Sequence, residues 1–94
     1  MVYRVELAQR AQRSIKRLDK LLQKIFRNKI GEISEDPHTA EPLTQDLKGW
    51  WSFHFIYRRV DYRIIYRIYG KEKLVLVGLA GSRENIYKEL KKIK

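Results

Sequence analysis

The chain changes its hydrophobic period twice. Residues 2–7, VYRVEL, alternate apolar and polar as a strand does. From Ala8 the apolar spacing lengthens to three and four, through Ala11, Ile15 and Leu18, then Leu22, Ile25, Phe26, Ile30 and Ile33. Asp19 stands where a side-chain cap would open a second helix, so residues 8–18 and 20–34 are predicted as a helical hairpin. Period two then returns in three runs, WWSFHFIY (50–57), DYRIIYRIY (61–69) and KLVLVGLA (73–80), joined by short turns at RRV and GKE. Between helices and strands lies 34–49, which holds both prolines and closes on Gly49; it is predicted as the one long connection, the kind that often carries function. Residues 83–93 complete the pattern as a short amphipathic helix with Ile86, Leu90 and Ile93 inward. No repeat or linker interrupts it. The expectation is a single domain, 1–94, of α+β class: an N-terminal strand and a helical hairpin packed in two layers on a mainly antiparallel four-stranded sheet, with a short C-terminal helix.

Alternation also assigns faces. Tyr62, Ile64, Tyr66 and Ile68 project to one side, with Trp51, Phe53, Phe55 and Tyr57, and suit a core beneath the helices. The other side receives Ser52, His54, Ile56 and Arg58 beside Arg63, Ile65, Arg67 and Tyr69. An uncovered sheet face presenting His, Arg and Tyr is a plausible RNA cleft, although arginine is also an ordinary occupant of a solvated face.

Charge sharpens this picture. Twenty-one Lys plus Arg against eleven Asp plus Glu leave a formal charge of +10 on 94 residues, which implies a polyanionic partner. There is no cysteine and only two histidines, His38 and His54, so disulfides and thiolate metal sites are excluded. The expectation is chemistry without metal or cofactor. No long apolar run and no signal-like N-terminus is present, which predicts a cytoplasmic protein with no membrane partner. The closing LKKIK (90–94) reads either as a grip on a polyanion or as a frayed solubilising tail.

The element order, together with EPLTQDLKGWWS, DYRIIYRI and GSRENIY, resembles the RelE/ParE superfamily of small basic toxins from bacterial and archaeal toxin–antitoxin pairs. The likeness covers essentially the whole chain; the EPLTQDLKGWWS tract is similar to the YoeB branch, and the other two to RelE proper. It implies a toxin that cleaves messenger RNA on the ribosome, in contact with ribosomal RNA, and that a cognate acidic antitoxin wraps and neutralises.

Cleaving RNA without a metal requires a base for the 2′-hydroxyl, cations for the phosphorane and an acid for the departing 5′-oxygen. By resemblance, Arg63 matches the arginine of the family's third strand and Arg83 that of its Gly-x-Arg segment, both suited to phosphate by their fork of donors. Tyr87 matches the C-terminal tyrosine, which would stack a base or align the 2′-hydroxyl. RelE's two strand lysines are replaced here by His54 and Ile56, whereas Glu41 occupies the place of the YoeB base in AEPL. Glu41 or His54 is therefore the expected base, since an imidazole can both take and give a proton near neutrality. Lys48, Arg58, Arg59 and Arg67 are expected to bind RNA. The alternative is a ParE-like, non-enzymatic poison of DNA gyrase, a reading that the missing lysine favours.

Overall fold

The computed structural model describes residues 2–93. In chain order it contains β1 (Arg4–Leu7), α1 (Gln9–Lys16), α2 (Lys20–Glu35), β2 (Glu41–Pro42), β3 (Trp50–Tyr57), β4 (Val60–Tyr69), β5 (Leu74–Ser82) and α3 (Arg83–Ile93), with 3₁₀ turns at Pro37–Thr39 and Gln45–Leu47. The strands form one sheet in the order β1-β5-β4-β3-β2. β1 runs parallel to β5, and the other pairings are antiparallel. This is the expected α+β architecture with a fifth strand added, because Glu41 and Pro42 pair with Ser52 and Trp51 at the far edge. Two residues are too few to show a period, and proline is tolerated on an edge, where its missing N–H leaves no gap in the ladder. Asp19 caps α2 as its position predicts, accepting from the Leu22 N–H at 2.9 Å. Among the described residues no helix is long and apolar enough to cross a membrane. Lys94, and the Ile93 side chain that the periodicity turns inward, lie outside the described residues.

The sheet has two unequal faces. On the back, Ala11 of α1 and Leu22, Phe26 and Ile33 of α2 close over Phe55, Ile64, Tyr66, Val75 and Val77. The front was expected to be open, but α3 covers part of it: Ile86 and Leu90 pack with Ile65, Leu79, Leu43 and Trp50 in a second, smaller cluster. A bulge in β5 makes this possible. Ile65 pairs with Leu79 and the next residue, Tyr66, with Val77, so Gly78 is the extra residue and the alternation flips there. A Cβ at Gly78 would fall 2.8 Å from the Trp50 ring, so the indole can lie against β5 only because that residue is glycine.

The long connection is tied down from the core. The buried Tyr66 hydroxyl donates to the Pro37 carbonyl at 2.8 Å. Burial, followed by the charge of Asp36, pushes this phenol up from 10.0 to about 12. Folding thus favours its neutral form, giving stability that is complete below the unfolded value of 10.0 and is lost as pH rises through about 12. Tyr66→Phe should cost about 1–2 kcal/mol at neutral pH, because the Pro37 carbonyl loses its donor. The deficit relative to wild type should shrink or reverse above pH 10, where the phenol ionises in the unfolded wild-type chain but stays protonated in the fold, a loss that the Phe variant does not suffer. Urea midpoints of both proteins at pH 7, 9 and 11 check it; a constant difference would show that Tyr66 does not titrate late.

Candidate functional site

The β3–β4 hairpin sets the site by its register. His54 pairs directly with Arg63, and one step towards the tip Ile56 pairs with Asp61, so all four side chains share the front face. Asp61 lies between the two basic groups. Arg63 Nη2 donates to its Oδ2 at 3.3 Å, and His54 Nδ1 stands 4.0 Å from its Oδ1, within ion-pair reach when the imidazole is protonated. Arg63 is largely withdrawn from solvent, with 20% of its side chain exposed, whereas His54 is open. The guanidinium is therefore held in place while the imidazole can meet a ligand.

Glu41 joins this group through the short edge strand. It pairs with Ser52 and so shares the front face, and a shallow depression of about 330 Å³ is lined by Thr39, Ala40, Glu41, Ser52, Phe53 and His54. Both candidate bases thus open onto one hollow.

Three buried side-chain atoms lack a hydrogen-bond partner among the described residues: Ser52 Oγ, Asp61 Oδ1 and Arg63 Nε. All three lie on the front of the same hairpin. Unpaired buried polar atoms are rare and costly, and a cluster of them marks where water or a ligand completes the set. Neither Ser52 nor Asp61 figured among the sequence-derived site residues. Their signal was nonetheless present, since Asp61 stands two residues before Arg63 and alternation puts both on one face.

Arg83 and Tyr87 form the other side. Arg83 is the first residue of α3, behind Ser82, whose Oγ accepts from the Asn85 N–H at 3.3 Å. A cation gains nothing from a helix N-terminus; the Arg83 guanidinium lies instead over the Tyr87 ring, 4.7 Å from its centroid. Arg63 pairs with Gly81, two residues before Arg83, and α3 lies on the front, so both arginines belong to the same end and side of the sheet. Gly81 has φ of +152°, a conformation that L side chains rarely adopt, and a Cβ there would meet nothing within 4 Å. The backbone opposite Arg63 is consequently bare.

The remaining cations spread along the hairpin. Arg67 pairs with Trp50 and covers its ring at 5.1 Å, next to Gly49 and Lys48. Alternation put Arg58 on the front face of β3, whereas the structure puts it with Arg59 in the β3–β4 turn, where its guanidinium lies 5.1 Å from the Tyr57 ring centroid. Ile56, at the place of a RelE lysine, is 71% exposed.

With this geometry in view, comparison with known proteins is informative. Residues 5–91 match the ParE-like toxins of type II bacterial toxin–antitoxin systems. The chain belongs to that family. Within the broader RelE/ParE superfamily, an Escherichia coli protein named as a RelE-like toxin is 24% identical over 84 residues, covering 89% of this chain and 86% of its own. A chain of the RelBE2 toxin–antitoxin complex of Mycobacterium tuberculosis is 26% identical over 88% of this chain and all of its own, with a TM-score of 0.70. A free mutant of E. coli RelE shares the fold over the full length of both chains, at TM-score 0.76 and 23% identity. The YoeB/ParE toxin of Agrobacterium tumefaciens also shares the fold, at TM-score 0.71 and 18% identity, over 85% of this chain and 98% of its own. The protein is thus a RelE/ParE-family toxin of a toxin–antitoxin system.

Proposed function

We propose that this toxin is a ribosome-dependent messenger-RNA endonuclease that works without a metal. The observation that carries the reading is the grouping of Arg63, His54 and Asp61 with three unpaired buried polar atoms on one hairpin face, bordered by Glu41. Glu41 or His54 takes the proton of the 2′-hydroxyl, whose oxygen attacks the phosphorus. Arg63 and Arg83 hold the charge that grows on the non-bridging oxygens, and the 5′-oxygen leaves with the proton that the base took up, or with one from water, leaving a 2′,3′-cyclic phosphate. Asp61 keeps the Arg63 fork aimed and supports an imidazolium at His54. Tyr87, already faced by Arg83, offers a ring on which a base can stack.

The partner we propose is a cognate antitoxin, in keeping with the RelBE complexes formed by relatives. With +10 on this chain, an acidic segment is the fitting complement, docking a helix against the apolar rim and masking the arginines.

The test is to add purified toxin to translating ribosomes and map the messenger ends. Cuts within the messenger that leave a 2′,3′-cyclic phosphate are expected, and intact messengers would overturn the reading. His54→Ala and Glu41→Gln separate the two bases: the variant of the true base should cut about 10²–10⁴ times more slowly, and the other should stay within a few-fold of wild type. A second reading, a ParE-like gyrase poison, is favoured by the family that the chain matches and by Ile56 in place of lysine. Intact transcripts together with gyrase-dependent DNA breaks would select it.

A further inference from the structure

The tip of the β3–β4 hairpin is built against local preference. β3 ends at Tyr57 and β4 begins at Val60, so Arg58 and Arg59 are the entire turn, and their φ angles are +51° and +68°. Two-residue hairpin turns of this left-handed kind match the twist of the flanking strands, and Asn-Gly or Gly-Gly usually fill them because those residues tolerate positive φ. Two arginines tolerate it poorly and also repel one another. Neither makes an ion pair with a described residue, and both are exposed. The Arg58 guanidinium lies instead over the Tyr57 ring, 5.1 Å from its centroid.

Strain retained at a tight turn calls for something that the strained residues do. We propose that Arg58 and Arg59 form an RNA-phosphate clamp, gripping the backbone of the bound strand beyond the reacting nucleotides. Two features favour RNA over an acidic protein as the occupant. The tip belongs to the same rigid hairpin as His54 and Arg63, about 13 Å along β4 from Arg63 at strand rise, so a polymer held at the front face passes within reach of it. A guanidinium pair also matches phosphate oxygens two at a time. The inference rests on the reading of the front face as an RNA site, and it adds a second contact that cleavage chemistry does not require.

The test compares wild type, the double variant Arg58→Asn/Arg59→Gly and the double variant Arg58→Lys/Arg59→Lys, using a fluorescein-labelled uridine 20-mer titrated over a range of salt. Asn-Gly should raise the melting temperature by about 4–8 °C. It should also weaken binding about tenfold near 0.1 M salt and make the log–log salt slope shallower by about 1.4, two phosphates' worth for a single strand. The lysine pair should keep the wild-type slope and stability. Unchanged affinity and slope in the Asn-Gly variant would overturn the clamp, and so would an Asn-Gly variant that loses binding to poly-glutamate but not to RNA, which would assign the tip to an acidic protein. Wild type that fails to bind the 20-mer at all would overturn the clamp, while the reading of the front face stands or falls separately by the mapping of messenger ends on ribosomes.

Discussion

Arg63→Ala is expected to slow messenger cleavage on translating ribosomes by about 10²–10³-fold, the usual effect of removing one preorganised group from a developing oxyanion. The same substitution destabilises the fold, and the two effects must be separated. Arg63 Nη2 is the donor that Asp61 Oδ2 holds, and Asp61 Oδ1 makes no hydrogen bond, so truncating the arginine leaves a half-buried carboxylate with only the His54 imidazole, 4.0 Å away, for company. That costs about 1–3 kcal/mol. Adding Asp61→Ala to the variant removes the stranded charge and should return most of the lost stability while restoring none of the activity. Arg63→Lys keeps the charge and loses the fork, so it should stay folded and still be slow. Cleavage by Arg63→Ala within threefold of wild type would show that the phosphate is held elsewhere.

The fold was legible where a period runs long enough to be seen. α2 shows its apolar stripe over four turns, and β4 alternates over ten residues. Two features escaped for definite reasons. β2 is two residues long and one of them is proline, so neither alternation nor β-propensity announces it, yet it is this strand that brings Glu41 beside Ser52 and His54. The bulge at Gly78 reverses alternation within LVLVGLA, so a uniform period cannot place Val77 behind the sheet and Leu79 in front. The covering of the front by α3 follows from that reversal, because Leu79 is part of what Ile86 packs against.

The residues that the candidate site draws together were legible for its cations and less so for its acid. Resemblance pointed to Arg63, Arg83, Tyr87, His54 and Glu41, and the register places His54 across from Arg63 and Glu41 across from Ser52. Asp61 was overlooked although alternation sets it on the face of Arg63, because the family's motifs draw attention to cations and a base there. Only the geometry shows it bridging imidazole and guanidinium. Ser52 was overlooked because a serine among aromatic residues looks like a solvated position, whereas it is 2% exposed with its hydroxyl unpaired. The second omission concerns burial, which a single strand's alternation does not reveal.

Phe26→Ala should have the largest effect on stability, and its consequence should reach the front face. Phe26 is 0% exposed, with its ring set edge-on against Phe55 at 5.1 Å and Tyr62 at 5.8 Å. Those two residues are themselves a stacked cross-strand pair, 5.5 Å between centroids, and they sit immediately beside the His54–Arg63 pair in the register. The α2 phenyl ring is thus a wedge behind the stretch of hairpin whose front carries the site. Truncation to alanine loses about 3–5 kcal/mol, against a total of about 5–14 kcal/mol for a domain of this size, so the variant should retain little stability at 37 °C. Phe26→Leu keeps most of the volume and should lose about 1.5 kcal/mol or less. Urea unfolding at 10 °C compares the two, and wild-type-like midpoints in Phe26→Ala would show that the wedge bears no load. If the back of the hairpin does fix its front, cleavage by folded Phe26→Leu should fall in step with the loosening of the Phe55–Tyr62 stack, although no atom of Phe26 is needed for the chemistry.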